Sequence, residues 1–230
     1  MTATNNIEYA LLILKPEFLL KLSKKNQAEF LRKLYLILEK NKILVQGTKN
    51  YPTGISQTQA EIHSKKNDLW KLEKGNDNLT TYPSLKKKYS PEEIGNAIEK
   101  ELISYFQNKH ILCMVVKGID AQQNLKNELN GLREEYLPKL ESSKETDDFT
   151  KATQPFLTII HRTDKKDGPF QAALEIINLM PEFAYSNADF RNYVIDLYFE
   201  TKTEIPLIIE SFMENILTEK LDALGYDVVK

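Results

Sequence analysis

The sequence predicts an α/β chain, an α+β sandwich built on a ferredoxin-like βαββαβ sheet with extra helices. Three observations carry this. Short apolar runs of strand length lie at residues 8–14, 110–116 and 156–161; amphipathic stretches lie between them; and two more helical stripes follow residue 180. With helices expected on one face of the sheet, residues 1–180 form the main domain and residues 181–230 a helical extension packed on it.

The elements follow in order. Glu8 to Leu14 is almost continuously apolar, the pattern of a central strand buried on both faces. Pro16 ends its ladder pairing and leaves Lys15 at the strand's end. From about Gln27 to Lys40, Phe30, Leu31, Leu34, Ile37 and Leu38 recur at helical spacing, and a strand follows at Ile43 to Gln46. Residues 56–70 are helical but polar. Residues 71–90, with Gly75-Asn-Asp-Asn78, Tyr82-Pro83 and Lys86 to Lys88, are expected as an inserted loop whose basic triplet is a solvated face.

Ser90-Pro91-Glu92-Glu93 is a helix start, with serine as N-cap and proline at the first helical position. That helix runs to about Asn108. A buried strand spans His110 to Val116, and a helix from Ala121 to Leu140 carries Arg133. Residues 141–154 are polar and expected as a second insertion. The strand Phe156 to His161 leads to a turn at residues 165–168 and a helix from Pro169 to Met180. Two further helices, about 187–201 and 204–224, complete the chain.

The bulk properties exclude several classes. Lys plus Arg is 31 against 33 for Asp plus Glu, a net charge of −2, which makes no case for nucleic acid or an anionic membrane as the main partner. The one cysteine, Cys113, lies in an apolar run, which rules out an internal disulfide and fits a reducing compartment. The apolar run at residues 9–14 is cut short by Lys15-Pro16 with no basic segment before it, so a secretory signal is not expected. No run reaches the roughly 18 apolar residues of a membrane helix. The expectation is a cytoplasmic protein.

His161 is the candidate for chemistry, because an imidazole at a strand end is a nucleophile held in a fixed direction. His63 and His110 have no such support and read as structural. The motifs around His161 and Lys15 resemble those of the nucleoside diphosphate kinase family. That family opens with a strand running into Lys-Pro-Asp, where this chain has Leu14-Lys15-Pro16-Glu17. Its third strand ends in Val-x-x-Gly, here Val115-Val-Lys-Gly118. Its active-site signature is Asn-x-x-His-Gly-Ser-Asp, here Thr158-Ile-Ile-His161-Arg-Thr-Asp164. The resemblance spans roughly residues 8–180, interrupted by the insertions.

The resemblance implies a ping-pong phosphotransferase that moves the γ-phosphate of ATP or another nucleoside triphosphate to a nucleoside diphosphate through phosphohistidine on His161. Lys15 and Arg133 would bind the phosphates, Thr158 and Thr163 would supply further polar contacts to the nucleotide, and Glu175 would orient the histidine ring. Mg²⁺ would enter bound to the nucleotide, so no dedicated metal cage is expected. Family members form hexamers or tetramers; the insertions and tail are able to block or replace such contacts, so the expected homo-oligomer stays open. Arg162 stands where the family has glycine, adding bulk and charge beside the expected nucleophile, and a second family arginine has no counterpart between Asp147 and Phe156. Those departures keep two alternatives: a non-catalytic nucleotide-binding or regulatory protein of the same fold, and an interaction protein that works through its C-terminal helices.

Overall fold

The computed structural model describes residues 7–64, 67–140, 147–153, 159–164, 166 and 168–223. Among them, β1 (Ile7–Leu14), β2 (Leu44–Tyr51), β3 (Ile111–Ile119) and β4 (Ile160–Arg162) form one sheet in the order β2-β3-β1-β4. All neighbours in it are antiparallel, which is the ferredoxin-like arrangement. β1 is central because every residue after Ile7 is buried and nearly all are apolar. β2 is longer than the expected Ile43–Gln46. Its continuation through Thr48, Lys49 and Asn50 is polar and lies at the sheet edge, with a register shift between Val45 and Gly47, so it lacks an apolar strand signature.

Helices cover both faces of the sheet, not one. Ala10, Leu12 and Leu14 face α2 (Lys24–Lys40) and α6 (Ala121–Tyr136) through Phe30, Leu34, Leu125 and Leu129. Tyr9, Leu11 and Ile13 point the other way, into a cluster shared with α3 (Gln57–Ser64), α5 (Pro91–Gln107) and α8 (Gln171–Leu179). The same cluster takes in Ala184 of α9 (Pro181–Ser186), Phe190 and Val194 of α10 (Ala188–Glu200) and Phe212 of α11 (Leu207–Ala223). The physical reason is β1 itself, since a strand apolar at consecutive positions must be covered on both sides. The 181–223 segment thus shares its core with the sheet.

The stretch expected as a loop at 71–90 is mostly helical: α4 (Asp68–Thr81) is followed by a 3₁₀ turn at Pro83–Lys87. Asn67 caps α4 by accepting from the Trp70 N–H. Gly75 and Gly95 are there for close packing of α4 on α5: a Cβ at Gly75 would lie 1.7 Å from the Pro91 carbonyl oxygen, and one at Gly95 2.3 Å from that of Lys71. Leu79, Leu85, Ile94 and Ile98 form a small separate core there, with Ala152 from α7 (Asp148–Thr153). α7 makes part of the expected 141–154 loop helical; residues 141–146 lie outside the described residues. Ser90 is the N-cap of α5 as expected, and with Glu93 it forms a full capping box. A short helix, α1 (Pro16–Leu20), starts directly after Lys15.

Candidate active site

The site lies where β1 ends beside β4. His161 pairs with Ile13 and Arg162 with Leu12. Side chains alternate between faces along a strand, so His161 points to the side of α3, α5 and α8 and Arg162 to the side of α6. The sequence placed Arg162 where it crowds the nucleophile; the register puts its side chain on the opposite face. There its guanidinium lies 3.4 Å from Asp164 and donates to the Thr163 carbonyl at 3.3 Å.

Behind His161 lies a buried carboxylate. Glu175, 2% exposed on α8, holds Oε1 3.4 Å from His161 Nε2, while the His161 side chain is 37% exposed. α8 brings Glu175 here because its apolar neighbours Ala173, Ile176 and Ile177 anchor it against the sheet. Two further donors fix the carboxylate: Thr163 Oγ1 at 2.6 Å to Oε2 and Gln171 Nε2 at 2.8 Å to Oε1. Burial alone would raise the Glu175 pKa. The His161 hydrogen bond and charge, the charge of His63 and the Thr163 hydroxyl outweigh it and hold the pKa at about 2.

Thr163 is fully buried, and its hydroxyl also accepts from the Leu11 N–H at 2.9 Å. It therefore ties β1 to Glu175 from behind the imidazole, where the sequence had it contacting the nucleotide. Thr158, expected to contact the nucleotide, lies outside the described residues.

Lys15 continues the β1–β4 ladder, its N–H donating to the Ile159 carbonyl at 2.9 Å. That makes His161 its diagonal neighbour on the same face, a relation that spans roughly 7–8 Å. The Lys15 ammonium sits 4.8 Å from the centroid of the Tyr105 ring, which also lies under Lys109 at 4.5 Å. Tyr105 in turn donates its hydroxyl to the buried Glu17. Burial lowers the Lys15 pKa to about 8; Glu17 opposes the change, and Arg133 and Lys109 add to it. The ammonium is thus poorly solvated and close to other cations, a setting in which a bound anion is strongly stabilising.

Arg133 reaches from α6 to donate Nε to the Ile160 carbonyl at 3.0 Å, fixing the residue before His161. Burial lowers its pKa to about 10, with repulsion from Arg162 in the same direction. Lys15, Arg133, His161 and Glu175 are therefore gathered at one end of β1. Tyr82 and Tyr89 pack on the small α4–α5 core, with Tyr89 4.8 Å from Phe149 between ring centroids.

His63, which read as structural, stands beside His161, the two rings T-shaped with centroids 5.3 Å apart, and packs T-shaped on Phe106 at 5.0 Å. A signal for its burial was present, because His63 follows the buried Ala60 by three residues on one face of α3. Tyr105 was likewise missed, and Glu17, which stands at the aspartate of the Lys-Pro-Asp motif, was given no role; the two meet only through the tertiary fold.

A scan against protein-family models and a comparison with curated protein sequences give no match. Solved structures do resemble the chain. A nucleoside diphosphate kinase from Pyrobaculum aerophilum superposes with a TM-score of 0.55 at 18% identity, covering 76% of this chain and 96% of its own. The Borrelia burgdorferi enzyme, solved as a transition-state mimic with vanadate and ADP, gives 0.45 at 14% identity over 76% of this chain and 87% of that one. The Halobacterium salinarum enzyme with CDP gives 0.41 at 16% identity, over 76% and 88%. No described helix is long and apolar enough to cross a membrane. Sheet order, the antiparallel pairing and the first of these superpositions agree that the chain has the ferredoxin-like α+β fold of a nucleoside diphosphate kinase.

Proposed function

We propose that this chain is a nucleoside diphosphate kinase-like phosphotransferase that carries phosphate on His161. The observation that supports it most is the pairing of a half-exposed imidazole with a buried, ionised Glu175 on Nε2, beside a desolvated lysine. A carboxylate on Nε2 holds the proton there, a tautomer assigned from the hydrogen-bond network, and leaves the Nδ1 lone pair as the nucleophile.

In the forward half-reaction the Nδ1 lone pair forms a bond to the γ-phosphorus of a nucleoside triphosphate. The bond from that phosphorus to the bridging oxygen breaks, and the nucleoside diphosphate leaves with the electron pair. The imidazole becomes cationic as it gains phosphate, and Glu175 stabilises that charge. Thr163 and Gln171 hold the carboxylate still while this happens. Lys15 is placed to neutralise charge on the transferred group, and Arg133, besides pinning Ile160, adds positive potential beside it. The reverse half-reaction passes the phosphate to a second nucleoside diphosphate.

Among the described residues the group able to hold a metal is His63, His161 and Glu175, which contains two imidazoles and lacks the all-oxygen character that Mg²⁺ prefers. Mg²⁺ belongs to the nucleotide in this scheme and neutralises its phosphates.

Incubation with γ-labelled ATP and Mg²⁺ tests the function. Wild type should acquire acid-labile, alkali-stable label, His161→Asn should acquire none, and added nucleoside diphosphate should discharge it. Equal labelling of both proteins refutes the phosphocarrier role. Label that no nucleoside diphosphate discharges would favour the regulatory alternative.

A further inference from the structure

We infer that His63, His161 and Glu175 form a binding site for a transition-metal ion of the Zn²⁺ type, and that its occupancy closes the histidine to phosphate. The three residues come from α3, β4 and α8, and one ligand atom from each lies within 4.8 Å of the others. His161 Nε2 and Glu175 Oε1 are already 3.4 Å apart. In tetrahedral zinc sites with bonds of about 2.0–2.1 Å, ligand atoms stand roughly 3.3 Å from one another. One pair thus has the required spacing, and the third ligand atom stands within 4.8 Å of both.

The chemistry of the set is selective. Two imidazoles and one carboxylate with a fourth position open suit Zn²⁺, whereas Mg²⁺ favours oxygen donors and keeps its waters. The surroundings are also those of a built site. His63 and Glu175 are 7% and 2% exposed, and His161 alone opens to solvent, which gives an ion a way in. Thr163 donates to Oε2 of the carboxylate and Gln171 to Oε1, and His63 packs T-shaped on Phe106. Partners of this kind orient metal ligands and raise their affinity.

The consequence for phosphate transfer rests on the function proposed above; the metal site itself does not. Zn²⁺ would take the Nε2 lone pair, and the proton that Nε2 shares with Glu175 would move to Nδ1, occupying the lone pair that attacks phosphorus. It would also draw Glu175 away from the cationic imidazole that phosphorylation creates. Metal and phosphate would therefore exclude one another, and by linkage each would weaken the other's hold by the same factor.

The test uses the full chain. Zn²⁺ is titrated against a chromophoric chelator, and Co²⁺ serves as the spectroscopic probe. Wild type should bind one Zn²⁺ per chain, and Co²⁺ should give the intense visible bands of a four- or five-coordinate site. His63→Gln and Glu175→Gln should each weaken binding by at least about a hundredfold, as large as the loss of an outer-shell partner can be. His110→Gln, which changes the remaining histidine, should bind as wild type does. His161→Gln covers the case in which a buried variant fails to fold: Zn²⁺ should raise the Tm of wild type and leave that of His161→Gln unchanged. Wild type without stoichiometric Zn²⁺ binding, or equal binding by His161→Gln, overturns the site.

A second arm adds γ-labelled ATP with excess Mg²⁺. One equivalent of Zn²⁺ should block labelling and a chelator should restore it. Labelling unaffected by bound Zn²⁺ overturns the mutual exclusion. A protein that binds Zn²⁺ but never takes label fails as a phosphocarrier while keeping the metal site.

Discussion

Replacing Glu175 by glutamine should produce a stability defect that disappears in acid. The carboxylate is buried, and its pKa is displaced from the ordinary 4.5 to about 2. Burial acts in the opposite direction, so favourable contacts with His161, His63 and Thr163 more than compensate for it. At about 1.36 kcal/mol per pH unit, a displacement of that size is worth on the order of 3 kcal/mol to the folded state. A folded pKa below the unfolded one means that this stability is fully present above about pH 4.5 and is lost as pH falls toward 2. Glutamine keeps the shape but cannot titrate. Urea unfolding of both proteins at intervals from pH 7 to pH 2 should therefore show wild type ahead at neutral pH and the gap narrowing below 4.5. The difference curve cancels the other carboxylates, which titrate in both proteins. A gap that stays constant to pH 2 would refute the idea that an ionised Glu175 is held by its neighbours.

Other outcomes follow from the same geometry. Thr163→Val should cost about 1–3 kcal/mol in chemical denaturation, because it strands the buried Leu11 N–H and removes a donor to Glu175; an unchanged midpoint would show that the hydroxyl is dispensable. Gly75→Ala should lower stability by about 1–3 kcal/mol or more, since the new methyl meets the Pro91 backbone and α4 must move off α5. Because burial lowers the Lys15 pKa to about 8, kcat/KM for the triphosphate should fall above that pH as the ammonium is lost. Lys15→Arg should retain its charge and move that alkaline limb upward, and a limb that stays in place would assign it to another group.

β1, β3 and the polarity of the helices were legible because they depend on local pattern. β1 is apolar at consecutive positions, and α5 opens with a complete capping box, so both could be placed within a residue or two. Lys15 and His161 could be paired through motif order alone. Three things were hidden for identifiable reasons. Gly75 looked like a turn signal, yet its missing side chain serves a close helix crossing, which only the partner's backbone reveals. The two-sided covering of the sheet followed from β1, but its second layer is assembled from α3, α5 and α8 together with the tail, which only the tertiary fold reveals. Arg162 looked obstructive because sequence adjacency suggests spatial adjacency, whereas a pleated strand sends neighbours to opposite faces.

The shortness of β4 has a further consequence. It is an edge strand of three residues, joined to the sheet only through β1. Its attachment depends as much on tethers from elsewhere, the Arg133 side chain on Ile160 and the Thr163 hydroxyl on Leu11, as on the ladder itself. Amide exchange in such a segment reports local detachment far below the free energy of global unfolding. The imidazole is thus mounted on a three-residue edge strand, while the lysine stands at the end of the central β1 and the carboxylate on α8, which packs against β1. A ligand that bridges the two halves would act as a clasp, and protection of the His161 amide would measure how firmly it closes.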